Sequence, residues 1–137
     1  MGIFSRLFGI CQTKPPADNG CWRYAEGRVE LDLGRAKELS QPGGAVRLEG
    51  YGLPRKVLLV HGTDGEIHAL ENKCAHAGRR LDPLPGKARV ECCSVGKSTY
   101  DYEGRLISGS ASRGVTVFPV ARQGQKLIVD LAEERRH

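Results

Sequence analysis

Residues Cys74 to Gly104 read CAHAGRRLDPLPGKARVECCSVGKSTYDYEG, and this stretch decides how the remainder is read. Its first half lies in Asn72 to Lys87, a run with little strand character that carries Pro83 and Pro85 around Leu84. An irregular loop of that length in a compact domain is usually functional or disordered. The second half changes rhythm, because Arg89 to Cys93 and Ser98 to Tyr102 have the composition of short strands.

Further short strands are predicted on both sides of this stretch. They are Val29 to Leu33, Ala45 to Glu49, Lys56 to His61, Glu66 to Glu71, Arg105 to Ser108, Val115 to Ala121 and Lys126 to Leu131. Turn signals at Pro42-Gly43-Gly44, Gly62 to Gly65, Glu103-Gly104 and Gln123-Gly124 separate them, and Arg35 to Leu39 can make one helical turn. This tight spacing predicts hairpins, hence an all-β domain of antiparallel strands built as a sandwich or partly closed barrel. Its expected extent is 25–131, with an N-terminal tail at 1–24 and a charged C-terminal tail at 132–137.

Within the first tail, Ile3, Phe4, Leu7, Phe8 and Ile10 can line one face of two helical turns, followed by a linker with Pro15, Pro16 and Asn19-Gly20. The apolar part is far shorter than the roughly 20 residues that span a bilayer. It also lacks the basic start and small-residue cleavage site of a secretory signal. Peripheral membrane contact through this segment is an alternative to its folding onto the domain or staying mobile. A net charge of +5 with no dense basic stripe argues against nucleic acid as a partner. Five cysteines, at 11, 21, 74, 92 and 93, lack the even spacing of a secreted disulfide scaffold, so a reducing compartment, the cytoplasm, is expected.

Cys74-Ala75-His76-Ala77-Gly78, then Cys93 shortly before Tyr100-Asp101-Tyr102-Glu103-Gly104, resembles the Rieske iron-sulfur family over roughly Val29 to Asp130. In that family one loop offers Cys-x-His and a second Cys-x-x-His, and an aromatic-Asp strand leads out of the second loop. The lead-in Ile67 to Asn72 and the glycine-marked turn near Gly109 belong to the same likeness. The resemblance implies a cluster-binding loop subdomain and a [2Fe-2S] cluster, with one iron on two thiolates and the other on two imidazoles. Cys74 and Cys93 match the thiolates and His76 the first imidazole, but the second imidazole falls on Gly96. Cys92 is a further candidate ligand, although neighbouring strand residues point to opposite faces and Cys92 and Cys93 should therefore diverge. His61, His68 and His137 are not natural substitutes. Ser98 and Tyr100 match positions that donate hydrogen bonds to cluster sulfurs. The disulfide that braces the loops of quinol-linked relatives would fall on Arg79 and Val95, so none is implied there.

The resemblance thus implies a small one-electron carrier, a ferredoxin-like component and not an enzyme, with the fourth ligand coming from Cys92 or from outside the side-chain set. The competing reading is a cluster-free interaction or thiol-redox module using Cys74 and Cys93. A zinc module ranks below both, for want of Cys-x-x-Cys spacing. Lys73, Arg79, Arg80, Lys87, Arg89 and Lys97, set against Asp82 and Glu91, concentrate the positive charge near the loops. A redox partner with an acidic patch is the expected counterpart. Oligomeric state, electron donor and acceptor are not encoded in any pattern found.

Overall fold

The computed structural model describes residues 11–75, 79–84, 86–93 and 97–133. Among these, twelve strands form three antiparallel sheets, and no α-helix occurs. The strands are β1 (Trp22–Ala25), β2 (Arg28–Asp32), β3 (Ala45–Leu48), β4 (Val57–His61), β5 (Ile67–Glu71), β6 (Leu81–Pro83), β7 (Arg89–Cys92), β8 (Thr99–Asp101), β9 (Leu106–Ser108), β10 (Val117–Phe118), β11 (Val120–Gln123) and β12 (Lys126–Asp130). Sheet order is β1-β2-β12-β11 in the first sheet, β10-β5-β4-β3 in the second and β6-β7-β8-β9 in the third. The helical turn expected near Arg35 is a short 3-10 segment, Lys37–Leu39. No described helix is long and apolar enough to cross a membrane.

Burial follows from strand periodicity. In β2 and β12, Val29, Leu31, Leu127 and Val129 are buried while their neighbours are more open, because successive side chains point to opposite faces. These inward residues meet Val46, Leu48, Val57, Leu59, Ile67, Ala69 and Phe118, which gives one core between the first and second sheets. β4 has no polar face: Val57 to Val60 are all fully buried. Its other two side chains, Leu58 and Val60, join Leu70 of β5 and pack against Leu81, Val90 and Tyr100 of the third sheet. The second sheet is therefore the middle layer, with apolar residues on both of its faces.

Three local differences from the expected strands have physical causes. β1 starts at Trp22, inside the segment read as linker, because it pairs with β2 from Trp22↔Leu31 to Ala25↔Arg28. β6 forms inside the supposed irregular loop, where Leu81 is buried opposite Cys92 and a three-residue pairing with β7 suffices. The run Val115 to Ala121 divides at Pro119, which has no N–H to donate. β10 before it pairs with β5 and β11 after it pairs with β12, so the chain changes sheets there, and the Pro119 carbonyl accepts from Asp130 N–H at 3.0 Å.

Candidate metal centre

The third sheet brings together the two segments that the sequence singles out. Cys74 N–H donates to the Arg79 carbonyl at 2.6 Å and Cys93 N–H to the Arg80 carbonyl at 3.0 Å, so the backbone of 79–80 clasps both loops. Asn72, buried at the end of β5, accepts from Leu81 N–H through Oδ1 at 2.7 Å and fixes where the first loop returns. Its Nδ2 is buried without a hydrogen-bond partner among the described residues. Cys92 N–H donates to the Ser98 carbonyl at 2.8 Å and closes the second loop. His76 and Gly96 lie outside the described residues, as do the expected amphipathic stretch Ile3 to Ile10 and His137.

Cys92 and Cys93 do diverge. Cys92, on β7, is buried in the core between the second and third sheets together with Cys74 and Tyr100. The Tyr100 hydroxyl lies 3.2 Å from Cys74 Sγ. Burial first, then the hydrogen bond and charge of Cys74, push the Tyr100 phenol well above its ordinary range. It therefore keeps its proton at neutral pH and can donate it to sulfur. Cys92 adds to the same upward push, which places both sulfurs within electrostatic reach of the phenol. Cys21, Cys74 and Cys92 are thiols.

Cys93 faces the other way and forms a disulfide with Cys11, 82 residues distant in sequence. The sequence reading did not anticipate this bond. An odd cysteine count signals only that one partner is left over, and no spacing rule pairs residues so far apart. Beside the disulfide sits Asp82, only 1% exposed, on the face of β6 opposite Leu81. Its two carboxylate oxygens accept from Gln12 N–H at 2.7 Å and Thr13 N–H at 2.9 Å. The Lys14 carbonyl accepts from Arg47 N–H at 3.0 Å. Residues 11–14 of the expected tail are thus laid against the domain. Asp82 entered the sequence reading only as a counter-charge, since an isolated Leu-Asp-Pro gives no sign of a buried carboxylate.

Ser98 and Tyr100 differ in what they contact. The buried Ser98 Oγ accepts from Ala111 N–H at 3.0 Å, and a Cβ at Gly109 would collide with the Ser98 backbone, so Gly109, at φ +108°, is required for this approach. Asp101 Oδ1 accepts from both Glu103 N–H and Arg105 N–H at 2.9 Å and shapes the turn between β8 and β9. Tyr102 stacks on His68 with ring centroids 4.4 Å apart. His68 also contacts Asp64 at 2.8 Å, and His61 Nδ1 lies 2.8 Å from the Leu39 carbonyl. Both histidines are committed away from the loops. Among the basic residues near the loops, Arg80 is bidentate to Glu49 at 2.7 and 2.9 Å. That guanidinium holds the Glu49 carboxyl below its usual range.

Comparison with known proteins agrees with this architecture. The family model for the Rieske [2Fe-2S] domain matches residues 30–119. The ferredoxin component of a naphthalene 1,2-dioxygenase system from Pseudomonas aeruginosa is 26% identical over 84 residues, 61% of this chain and 81% of that protein. A glycine betaine monooxygenase oxygenase subunit from Pseudomonas aeruginosa is 34% identical over 73 residues, 53% of this chain but only 17% of that subunit. A solved complex of reduced oxygenase and oxidized ferredoxin in carbazole 1,9a-dioxygenase aligns at TM-score 0.56 and 20% identity. That alignment covers 66% of this chain and 82% of the other and bears on fold alone.

Proposed function

Because the chain belongs to the Rieske [2Fe-2S] domain family, we propose that it is a one-electron carrier, a ferredoxin-like component that serves a separate redox partner and performs no catalysis of its own. The observation that carries this reading is the buried cluster of Cys74 and Cys92 beside the proton-bearing Tyr100. Its likeness to a dioxygenase ferredoxin over 81% of that protein's length points to the same role.

The donor set fits a two-iron centre in its thiolates. Cys74 and Cys92 would supply the thiolate pair and His76 the first imidazole, with Tyr100 donating to Cys74 sulfur and Ser98 holding the loop at 109–111 in place. A bound [2Fe-2S] centre would supply a reversible one-electron couple, at a potential raised by each neutral imidazole and each hydrogen bond to sulfur. With Gly96 at the position of the second imidazole and Cys93 beside Cys11 and Asp82, the fourth donor is a group outside the side-chain set. The chain's own part is to exclude water through Leu58, Val60, Leu81 and Val90 and to hold the Tyr100 hydroxyl within hydrogen-bond reach of the Cys74 sulfur.

We propose that the carrier works in the cytoplasm, where reductants would keep the Cys11–Cys93 bond largely open, and that it meets its partner at the basic loop end, through Lys73, Arg79, Lys87, Arg89 and Lys97. Arg80 contributes less there because Glu49 already neutralises it. Association should slow as salt is added, since exposed charges are screened beyond about 8 Å at physiological ionic strength. Protein purified without oxygen should be brown, hold about two irons and two acid-labile sulfides per chain, and give a spin signal when reduced. A colourless, iron-free chain that cannot be reconstituted would sink this reading in favour of a cluster-free module.

A further inference from the structure

The corner where Cys11, Cys93 and Asp82 meet is not used by the thiolate pair proposed above. The two Sγ atoms and a carboxylate oxygen of Asp82 all lie within 4.8 Å of one another. A disulfide is neutral and gives a buried carboxylate nothing to recognise. Asp82 is nonetheless 1% exposed, and among the described residues it forms no ion pair with Lys, Arg or His. Burying an ionised carboxylate is costly unless it is paired or coordinates a metal. Its two recorded bonds, to Gln12 and Thr13 N–H, occupy about half of the roughly four acceptor positions of a carboxylate. Those bonds also fix the segment that carries Cys11, so two of the three donors are held by one short piece of backbone.

We propose that reduction of the Cys11–Cys93 disulfide converts this corner into a binding site for a tetrahedral divalent cation of the zinc class, with Cys11 Sγ, Cys93 Sγ and one Asp82 oxygen as ligands and water in the fourth position. Zinc takes thiolate sulfur at about 2.3 Å and carboxylate oxygen at about 2.0–2.2 Å, so two sulfurs in a tetrahedral site stand about 3.8 Å apart. The Cα atoms of Cys11 and Cys93 are 5.4 Å apart. Opening the S–S bond to that separation therefore asks for side-chain rotation within a corner already assembled. The step balances as a two-electron exchange: a dithiol reductant becomes a disulfide and passes two electrons and two protons to Cys11 and Cys93. The cation then displaces the two thiol protons to solvent. The divalent charge offsets most of the negative charge that two thiolates and a buried carboxylate bring to one corner, leaving a net charge of −1 on the site. On this assignment Cys93 belongs to the second site and Cys74 and Cys92 to the first.

The test uses the full chain, reduced anaerobically with a phosphine and then titrated with cobalt(II) and zinc. In the Cys74→Ser/Cys92→Ser double variant, one cobalt per chain should bind with sulfur-to-cobalt charge-transfer absorption, and zinc should displace it. Asp82→Asn should weaken cobalt binding on the order of tenfold. Cys11→Ser should abolish the absorption; that residue precedes every strand, so the circular dichroism of the sheets provides the folding control. Zinc stoichiometry of the reduced wild-type chain, measured by dialysis and metal analysis, should fall by one in Cys11→Ser. The proposal is overturned if the absorption survives Cys11→Ser added to the double variant, if the reduced and folded double variant binds no cobalt, or if the oxidised double variant binds as well. Iron and sulfide content of Cys11→Ser, measured in parallel, should equal wild type, so failure here and failure of the electron-carrier reading remain separable.

Discussion

Cys92 and Cys93 are adjacent in sequence and live in different chemistries. Cys92 points into an apolar interior beneath Tyr100, where a second sulfur, Cys74, waits. Cys93 points to the opposite side, toward an N-terminal strap and a buried carboxylate. β7 ends at Cys92 and Cys93 follows in a bend, so two adjacent sulfurs take different neighbours. Distance in sequence is a poor guide to shared function here: Cys74 is the neighbour of Cys92, and Cys11 that of Cys93.

The sharpest way to break this contrast is to remove the two sulfurs one at a time. Cys92→Ser should lose nearly all iron and acid-labile sulfide on anaerobic purification, whereas Cys93→Ser should keep most of both. The reverse order would move the thiolate pair to Cys74 and Cys93. The strap side is next in size. Cys11→Ser should lower the unfolding free energy of the oxidised protein by about 2–4 kcal/mol, because the bond closes a loop spanning 82 residues. Denaturant titration of wild type and variant should show this gap without reductant and lose it when reductant is present.

On the interior side, Tyr100→Phe should lower the reduction potential by on the order of 40 mV, the equivalent of one net hydrogen bond of about 1 kcal/mol in a one-electron couple. An unchanged potential in protein film voltammetry would leave Tyr100 as a packing residue. The smallest effect belongs to the surface. Glu49→Gln should cost about 0.5–1 kcal/mol, since the pair with Arg80 is partly exposed. Glu49 has a lowered pKa when folded, so its contribution is complete above its ordinary value of 4.5 and is lost as pH falls through the lower folded value. Wild type and variant should accordingly differ in thermal midpoint at pH 7 and converge at low pH.

Much of this architecture was legible from composition and rhythm. The run Val57 to Val60, with four apolar residues and no alternation, is what a strand covered on both faces requires. The two-loop pattern was visible because Cys74-x-His76 and Tyr100-Asp101 are local signals. β6 was not visible: three residues that include a proline carry too little pattern, and the pairing of Leu81 with Cys92 stabilises them from outside. The Cys11–Cys93 bond and the Asp82 pocket were hidden for the same reason, being contacts between segments about 70 to 80 residues apart that leave no periodic trace. That Cys92 and Cys93 have different neighbours agrees with the expectation from side-chain alternation, although Cys93 itself lies in a bend just past β7.

β4 presents no side to water: Val57 and Leu59 serve the core toward the first sheet, and Leu58 and Val60 the core toward the third. It is a party wall, and neither room can be emptied while the other stands. Amides of Leu58 and Val60 should be among the last in the chain to exchange with deuterium, at rates set by global opening. Two methyls deleted from the far core, as in Val129→Ala, should then be felt at the iron-binding end as faster loss of metal during unfolding, although no atom near the thiols has changed.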